Sequence, residues 1–192
     1  MKSRFLTAPN TITLLRLVFV PFIVINVLDG NMAIAVILFV LAGASDALDG
    51  LLARALHQKS LIGQYLDPIA DKLLLSSLFL VLSFTAYIPW RYTVLVFSRD
   101  LCILVVSALI YATSTFRDFK PSIFGKINTV FQVAAVFFVL LAEVYDSSWI
   151  AQSRRLALWG TLAFTIISGV HYIILTGQRL HASTARSAHG AR

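Results

Sequence analysis

An acidic segment between two long apolar runs limits what this chain can fold into. The chain is 58% hydrophobic and 13% charged, and residues 46–71 (DALDGLLARALHQKSLIGQYLDPIAD) carry four aspartates: Asp46, Asp49, Asp67 and Asp71. If the flanking runs are helices, the first pair shares a face three residues apart and the second pair shares a face four residues apart. We therefore expect two helices whose short polar connection brings two acidic pairs together.

Carboxylates held close together at a membrane edge need protons or cations. An ionised aspartate at the centre of a bilayer costs roughly 2.5–3.5 kcal/mol, and like charges held close disfavour one another's ionised form. Oxygen ligands without His or Cys nearby suit Mg²⁺, Mn²⁺ or Ca²⁺ rather than zinc, and Mg²⁺ is usual with phosphate substrates. Two such ions, about 3.5–4 Å apart, can clamp a phosphoryl group. From the residues alone, metal-assisted catalysis and an ion or proton pathway are both open.

Composition places the chain among helical membrane proteins. A soluble domain would carry about a quarter charged residues, against 13% here. We predict an all-α, polytopic membrane protein with six transmembrane helices and a polar active-site cavity that faces the cytoplasm. The spans, of about 20 residues each, are expected near residues 13–28, 32–55, 64–86, 92–112, 127–144 and 156–175. Residues 1–176 form one membrane domain in this interpretation, and residues 177–192 form a polar, basic tail that we expect to be disordered.

The net charge of +7 has an explanation in topology. If the N-terminus is cytoplasmic, most Lys and Arg residues fall at cytoplasmic ends of the spans, where anionic lipid attracts them. We therefore predict no nucleic-acid partner. Cys102 is the single cysteine, so the chain has no disulfide framework and no cysteine cluster for zinc. We expect an integral protein of a bacterial inner membrane with the acidic segment on the cytoplasmic side.

The acidic segment resembles the signature of the CDP-alcohol phosphatidyltransferases, integral membrane enzymes that build phospholipid head groups. The spacing is Asp-x2-Asp-Gly-x2-Ala-Arg-x8-Gly-x3-Asp-x3-Asp. Every fixed position is filled: Asp46, Asp49, Gly50, Ala53, Arg54, Gly63, Asp67 and Asp71. Eight specified positions make a specific signal, and an ion pathway has no need of the Gly and Arg positions. The resemblance therefore favours catalysis over transport.

The resemblance implies roles for the four carboxylates. It makes Asp46, Asp49 and Asp67 metal ligands. Asp71 matches the carboxylate taken as general base, and it is also expected to contact the second metal. A carboxylate can serve as base because it needs only to accept a hydroxyl proton as the oxygen attacks phosphorus. The implied cofactor is a pair of Mg²⁺ ions, for which Mn²⁺ can substitute, and the implied assembly is a homodimer.

The resemblance also places a CDP-binding site at the signature. Its residues are Gly50, Arg54 and Gly63, with Ser60 where the family often has a hydroxyl that contacts the nucleotide, and with Asn10 as a further nucleotide contact. Each residue type also has a simpler explanation. Gly50 can serve close helix packing, Arg54 can be an interfacial arginine that reaches toward water, and Asn10 can cap the first helix.

A second group of basic residues is predicted to bind the acceptor alcohol. Arg99 stands beside Asp100 inside the fourth span, where its cost in lipid favours a position facing the bundle over a pair that only neutralises itself. Lys120 and Lys126 lie in a basic segment that positive-inside topology also explains. The segment from Pro121 to Gln132 resembles segments in the glycerol-phosphate and cardiolipin branches of the family.

Together these features predict transfer of a phosphatidyl group from CDP-diacylglycerol to an alcohol, with release of CMP. The preferred acceptor is sn-glycerol 3-phosphate, because of the overall resemblance, the compact chain and the basic residues available for an acceptor phosphate. Phosphatidylglycerol, which would give cardiolipin, is the nearest alternative, ahead of inositol phosphate or serine. An ion-coupled transporter and a structural membrane scaffold are the alternatives from other classes.

Overall fold

The computed structural model describes the backbone over residues 8–55, 61–113 and 123–189, and the side chains over residues 15–45, 70–105 and 123–172. Over the described backbone the chain forms six α-helices and no strand: α1 (Ala8–Leu28), α2 (Met32–Ala55), α3 (Leu61–Phe84), α4 (Trp90–Thr113), α5 (Ile123–Ala142) and α6 (Ser148–His189). The predicted all-α class and the six helices are confirmed for this part of the chain.

The bounds of most helices differ from the predicted spans because hydropathy marks only the apolar part of a helix. Only α2 has the predicted bounds. Helix α1 begins at Ala8, so Asn10 lies inside its first turn and the predicted cap at this residue is wrong. Helix α6 begins at Ser148, inside a predicted polar loop, and continues to His189. It therefore includes most of the tail that was expected to be disordered.

The predicted turn at residues 29–31 is confirmed, and it depends on a glycine. Gly30 has a φ of 74°, a left-handed conformation that costs glycine little. The N–H of Asn31 donates to the carbonyl of Asn26 at 2.8 Å, and the N–H of Gly30 donates to that of Val27 at 3.2 Å. This pair of bonds is the Schellman pattern, which ends a helix and satisfies its last carbonyls. It allows α2 to fold back against α1.

The six helices pack so that α3 and α5 are central. Helix α1 packs against α2 and α3, and α5 packs against α2, α3 and α6. Helix α4 packs against α3 and α6, so that α3, α4, α6 and α5 follow one another around a ring. The centre of the apolar core comes from α3 and α5, whose fully buried side chains include Leu78, Phe79, Leu82, Val139 and Leu140.

The outer faces of the bundle are apolar. Among the described residues, Ile123–Ala142 is the helix long and apolar enough to cross a membrane by length and composition, and Leu15–Leu28 and Met32–Ser45 are shorter apolar stretches. Large apolar side chains are exposed on the other helices too, for example Phe22, Ile37, Leu101, Leu104, Trp159 and Ile166. Soluble monomers rarely expose apolar surface on this scale. The six transmembrane spans stay a prediction.

The contact between α5 and α6 includes a glycine covered by an aromatic ring. A Cβ atom on Gly160 would overlap Cδ1 of Phe131, and the Phe131 ring stacks on Phe164 with centroids 4.9 Å apart. Gly169 lies about two and a half turns further along α6, and a Cβ there would have no neighbour within 4 Å. A methyl group would therefore displace the Phe131 ring at Gly160, whereas at Gly169 it would displace nothing.

We expect Gly160→Ala to lower the free energy of unfolding by about 1–3 kcal/mol, because Phe131 must leave its stacked position. Gly169→Ala is the matched control. It should raise stability by about 1 kcal/mol, since alanine has the higher helix propensity and the site is open. Thermal unfolding of the purified protein in detergent measures both changes. Equal shifts for the two variants would contradict the role given to the Phe131 contact.

Candidate functional site

A cavity of about 370 Å³ lies between α1, α2, α3 and α5. Its polar lining comes from Arg16 on α1, Asp71 on α3 and Thr129 on α5. The rest of the wall is apolar and includes Phe39, Val40, Leu74, Val133 and Phe137. The volume is within the range of about 300–1,000 Å³ that is usual for small-molecule sites. The last aspartate of the acidic signature therefore lies at the edge of an apolar cavity.

An ion pair joins Asp71 to Arg16 across the contact between α1 and α3. The side chain of Arg16 is 1% exposed, whereas that of Asp71 is 46% exposed. A buried guanidinium is costly without a charged partner, so the pair fixes how α1 meets α3 and holds the Asp71 carboxylate at the cavity edge. Sequence reasoning treated Arg16 only as a topology-determining charge. The available signal was its position inside an apolar run, where lipid exposure is expensive.

Beside Asp71, Lys72 belongs to a second charged cluster, which connects α3 to α4 and α6. Its Nζ lies 2.5 Å from Oδ2 of Asp100, and Oδ1 of Asp100 accepts a hydrogen bond from Arg99 at 2.8 Å. Arg99 also donates to Oγ of Ser168 at 2.7 Å. The side chains of Arg99 and Asp100 are 10% and 13% exposed. Both residues thus face the bundle, as their cost in lipid predicted, and they also pair with each other.

Helices α5 and α6 meet along a group of buried polar side chains, the α5–α6 polar seam, which consists of Asn128, Gln132, Thr161, Thr165 and Ser168. All five are at most 3% exposed. Thr165 Oγ1 donates to Asn128 Oδ1 at 3.0 Å. Among the described residues, Asn128 Nδ2 and Gln132 Nε2 have no hydrogen-bond partner. The sequence contained the signal as polar residues spaced three or four apart on two apolar helices, but it did not show that Asn128 and Thr165 face each other.

The predicted acceptor residue Lys126 is exposed at the start of α5. It lines a second cavity, of about 400 Å³, together with Thr129, Val130 and Val133. Thr129 and Val133 line the Asp71 cavity as well. The two cavities therefore lie side by side along α5, one lined by Asp71 and the other by Lys126. We refer to the two together as the apolar groove along α5.

Most of the predicted site residues lie outside the described side chains. Only the backbone is described for Asn10 on α1, for Asp46, Asp49, Gly50 and Arg54 on α2, and for Gly63 and Asp67 on α3. Ser60 and Lys120 lie outside the described residues altogether. Within the described side chains, no group of three or more His, Cys, Asp or Glu could hold a metal. That part of the chain contains only one of the four predicted ligands, so the metal site stays a prediction.

The sequence profile of the CDP-alcohol phosphatidyltransferases matches residues 6–167. The chain belongs to the CDP-alcohol phosphatidyltransferase family. The match covers the acidic signature, the cavity-lining parts of α1, α2, α3 and α5, and most of the α5–α6 polar seam. The family expected from the spacing of the aspartates is therefore confirmed.

Several named members of the CDP-alcohol phosphatidyltransferase family are similar to this chain. Cardiolipin synthase (CMP-forming) of Rattus norvegicus is 32% identical over 86% of this chain and 59% of its own length. The CDP-diacylglycerol–glycerol-3-phosphate 3-phosphatidyltransferases of Aquifex aeolicus and Bacillus subtilis are each 30% identical. They align over 88% and 91% of this chain and over 95% and 97% of their own lengths. The chain thus spans about three fifths of the rat and human cardiolipin synthases and nearly all of these two bacterial relatives.

The unequal burial of Arg16 and Asp71 leads to unequal effects when either partner is removed. Asp71→Ala takes one partner from a buried guanidinium, and we expect it to cost about 3 kcal/mol of unfolding free energy. Arg16→Met leaves a carboxylate that is half exposed and can be hydrated, so we expect a cost of about 1 kcal/mol. Thermal unfolding in detergent compares the two variants. A larger loss for Arg16→Met would contradict this account of the pair.

Proposed function

We propose that this chain transfers a phosphatidyl group from CDP-diacylglycerol to sn-glycerol 3-phosphate, which forms phosphatidylglycerophosphate and releases CMP. Membership of the CDP-alcohol phosphatidyltransferase family supports the reaction class. The two bacterial relatives that align over almost their whole length are named for this reaction. The observation that carries the proposal is the position of Asp71, a signature carboxylate, at the edge of an apolar cavity. Carboxylate chemistry and space for a lipid are thereby adjacent.

The apolar groove along α5 suits the diacylglycerol part of the donor substrate. Val40 and Val133, which line it, are 48% and 42% exposed, so the groove is open toward the outer surface of the bundle. Burial of acyl chains in such a groove is favoured by about 0.8 kcal/mol for each CH₂ group. Lys126 at one end offers a cation for the phosphate of the acceptor. In this proposal, CDP-diacylglycerol enters sideways from the inner leaflet.

The reaction is a displacement at phosphorus. The acceptor hydroxyl oxygen forms a bond to the lipid-side phosphorus of CDP-diacylglycerol, and the bond from that phosphorus to the bridging oxygen breaks. CMP leaves with the bridging oxygen, and the hydroxyl proton passes to the carboxylate of Asp71. Arg54 holds the phosphate oxygens through its planar set of donors. Arg16 keeps the Asp71 carboxylate in place at the cavity edge.

The residues fit a divalent-metal site, with Asp46, Asp49, Asp67 and Asp71 as its ligands. Asp71 is half exposed, so a cation can reach its carboxylate. The helical register of α2 supports the same grouping, because position 46 follows Gly43, a residue that lines the Asp71 cavity, by three residues. Two bound Mg²⁺ ions, or Mn²⁺ in their place, would neutralise charge on the pyrophosphate and on the leaving CMP.

The membrane setting and the assembly belong to the same proposal. The exposed apolar faces of the bundle support six spans in one membrane domain over residues 1–176. The distribution of Lys and Arg supports a cytoplasmic position for the acidic signature. The CDP-binding residues of this proposal lie on the same side: Asn10, Gly50, Arg54, Ser60 and Gly63. Lys120 joins Arg99 and Lys126 as acceptor-binding residues. A bacterial inner membrane and a homodimer follow from the family resemblance.

Transfer to phosphatidylglycerol, which would give cardiolipin, is the second candidate function. The observation that favours it is the similarity to the rat and human enzymes named cardiolipin synthase, at 32% and 31% identity. The chemistry at the donor phosphorus is the same for both acceptors. The two functions differ only in whether the attacking glycerol is free in water or attached to a second lipid.

Purified protein in detergent micelles with CDP-diacylglycerol and Mg²⁺ should release CMP when sn-glycerol 3-phosphate is added. A panel with phosphatidylglycerol, inositol phosphate and serine identifies the acceptor by its lipid product. Chelation of the metal should abolish CMP release, and excess Mg²⁺ should restore it. CMP release that requires phosphatidylglycerol instead would select the second candidate. Solute flux across sealed vesicles without CMP release would overturn the enzyme assignment.

A larger side chain in the groove should interfere with the donor lipid. We expect Val133→Phe to raise the KM for dioleoyl CDP-diacylglycerol about tenfold, because the ring occupies space needed by an acyl chain. A donor with short acyl chains should be affected much less. Val94→Phe is the matched control, since Val94 is 58% exposed on α4 and lines neither described cavity. An equal loss with long and short chains would argue against acyl-chain binding there.

A further inference from the structure

The α5–α6 polar seam contains hydrogen-bonding groups that the reaction described above does not use. Asn128 and Gln132 are 0% and 1% exposed, and each has an amide N–H₂ group without a partner among the described residues. A buried donor without an acceptor destabilises the fold, whereas an apolar residue of similar size would avoid that cost. Two such donors one turn apart are available to an acceptor oxygen that the described residues do not supply.

Gln132 lies next to the cavity that contains Asp71. Thr129 and Val133 line that cavity, and Gln132 stands about 60° around the helix axis from Thr129, at about 100° per residue. Rotation about the first two side-chain bonds of glutamine moves its amide over this angle. Because Gln132 is 1% exposed and does not itself line the cavity, its amide meets a molecule at Asp71 only after such a rotation.

The free groups of the seam are amide N–H donors, which need an acceptor oxygen from a hydroxyl or a phosphate. The Thr165 hydroxyl donates to the amide oxygen of Asn128. The amide N–H₂ group of Asn128 has no partner among the described residues. A hydroxyl both donates and accepts, so it satisfies an amide N–H or an amide carbonyl equally. Phosphate oxygens only accept and are better served by the cations of Arg99 and Lys126. The seam therefore suits a neutral, hydroxyl-bearing part of a ligand.

We propose that Gln132, with Asn128, binds the second, non-reacting hydroxyl of a glycerol-type acceptor and so determines acceptor specificity. The inference rests on the proposed function, because that function supplies the acceptor. A glycerol phosphate head group has two hydroxyls, of which one attacks phosphorus and the other needs a partner. This chemistry is shared by free sn-glycerol 3-phosphate and by the head group of phosphatidylglycerol. Gln132 and Asn128 are specificity-determining residues in this account and take no part in the proton transfer.

The test uses acceptors that differ only in the second hydroxyl. sn-Glycerol 3-phosphate is compared with 3-hydroxypropyl phosphate, and phosphatidylglycerol vesicles are compared with vesicles of phosphatidyl-1,3-propanediol. The wild-type protein should lose about tenfold or more in kcat/KM with the analogue that lacks the hydroxyl, because the amides are then left unpaired. The pair of acceptors that shows this loss also identifies whether the natural acceptor is water-soluble or a lipid.

The variants turn this comparison into a substrate–mutant cycle. Gln132→Met removes the amide with little change in length, and the ratio of kcat/KM values for the two acceptors should fall to about one, while the KM for CDP-diacylglycerol stays unchanged. Asn128→Leu should lower the same ratio. Gln152→Met, at an exposed glutamine on α6, is the matched control and should keep the wild-type ratio.

Two results would overturn the inference while leaving the proposed function intact. One is a wild-type protein that uses both acceptors of each pair equally well, and the other is a wild-type ratio retained by both Gln132→Met and Asn128→Leu. If Gln132→Met does not fold, Gln132→Glu keeps the shape of the side chain without the N–H₂ group and is measured in the same way. Absence of CMP release by the wild-type protein with every acceptor would instead reject the proposed function, and this inference with it.

Discussion

Charged side chains inside an apolar helix bundle are stable where they meet a partner, and the meeting of Arg16 with Asp71 governs how the first three helices assemble. Arg16 shares one face of α1 with Ile23 and Val27, which are also buried and follow it by seven and eleven residues. To satisfy the guanidinium, α1 must turn this face toward α3. The same rotation leaves Phe22 and the rest of the apolar face exposed, and it presents α1 to both helices that carry the acidic signature.

Helix α3 separates two chemical environments because successive residues point about 100° apart around a helix. Asp71 contacts α1 and lines the apolar cavity, whereas Lys72 contacts Asp100 on α4 and so connects to Arg99 and α6. One side of α3 thus joins a carboxylate to an apolar cavity. The other side joins cations to a polar interior. The proposed transfer from a lipid donor to a polar acceptor would use both environments, which two adjacent residues of α3 provide.

Local patterns predicted much of this structure, and tertiary contacts account for the rest. The bounds of α2, the turn at Gly30 and the family itself could be predicted, because they depend on hydropathy, on backbone conformation and on spacing along the chain. The pairing of Arg16 with Asp71 could not be predicted, since helical periodicity identifies a face but not the helix that it meets. The same reason hid the contact between Asn128 and Thr165. The ends of α6 were missed because a helix continues through polar residues that hydropathy excludes.

The antiparallel order of the helices concentrates polar chemistry at one end of the bundle. Among the described side chains, most buried polar and charged groups lie near the middle of α3 and α4, at the start of α5 and in the middle of α6, which lie together because these helices alternate in direction. The other end is mainly apolar around Phe79 and Leu140. Its polar groups are paired: Ser83 bonds Thr93, and Arg154 donates to the carbonyl of Tyr87 at 2.7 Å. Apolar packing at this end of the bundle can therefore offset the cost of the unpaired donors at the polar end. Apart from the Arg16–Asp71 pair, the polar groups near the cavity therefore need not contribute net stability to the fold.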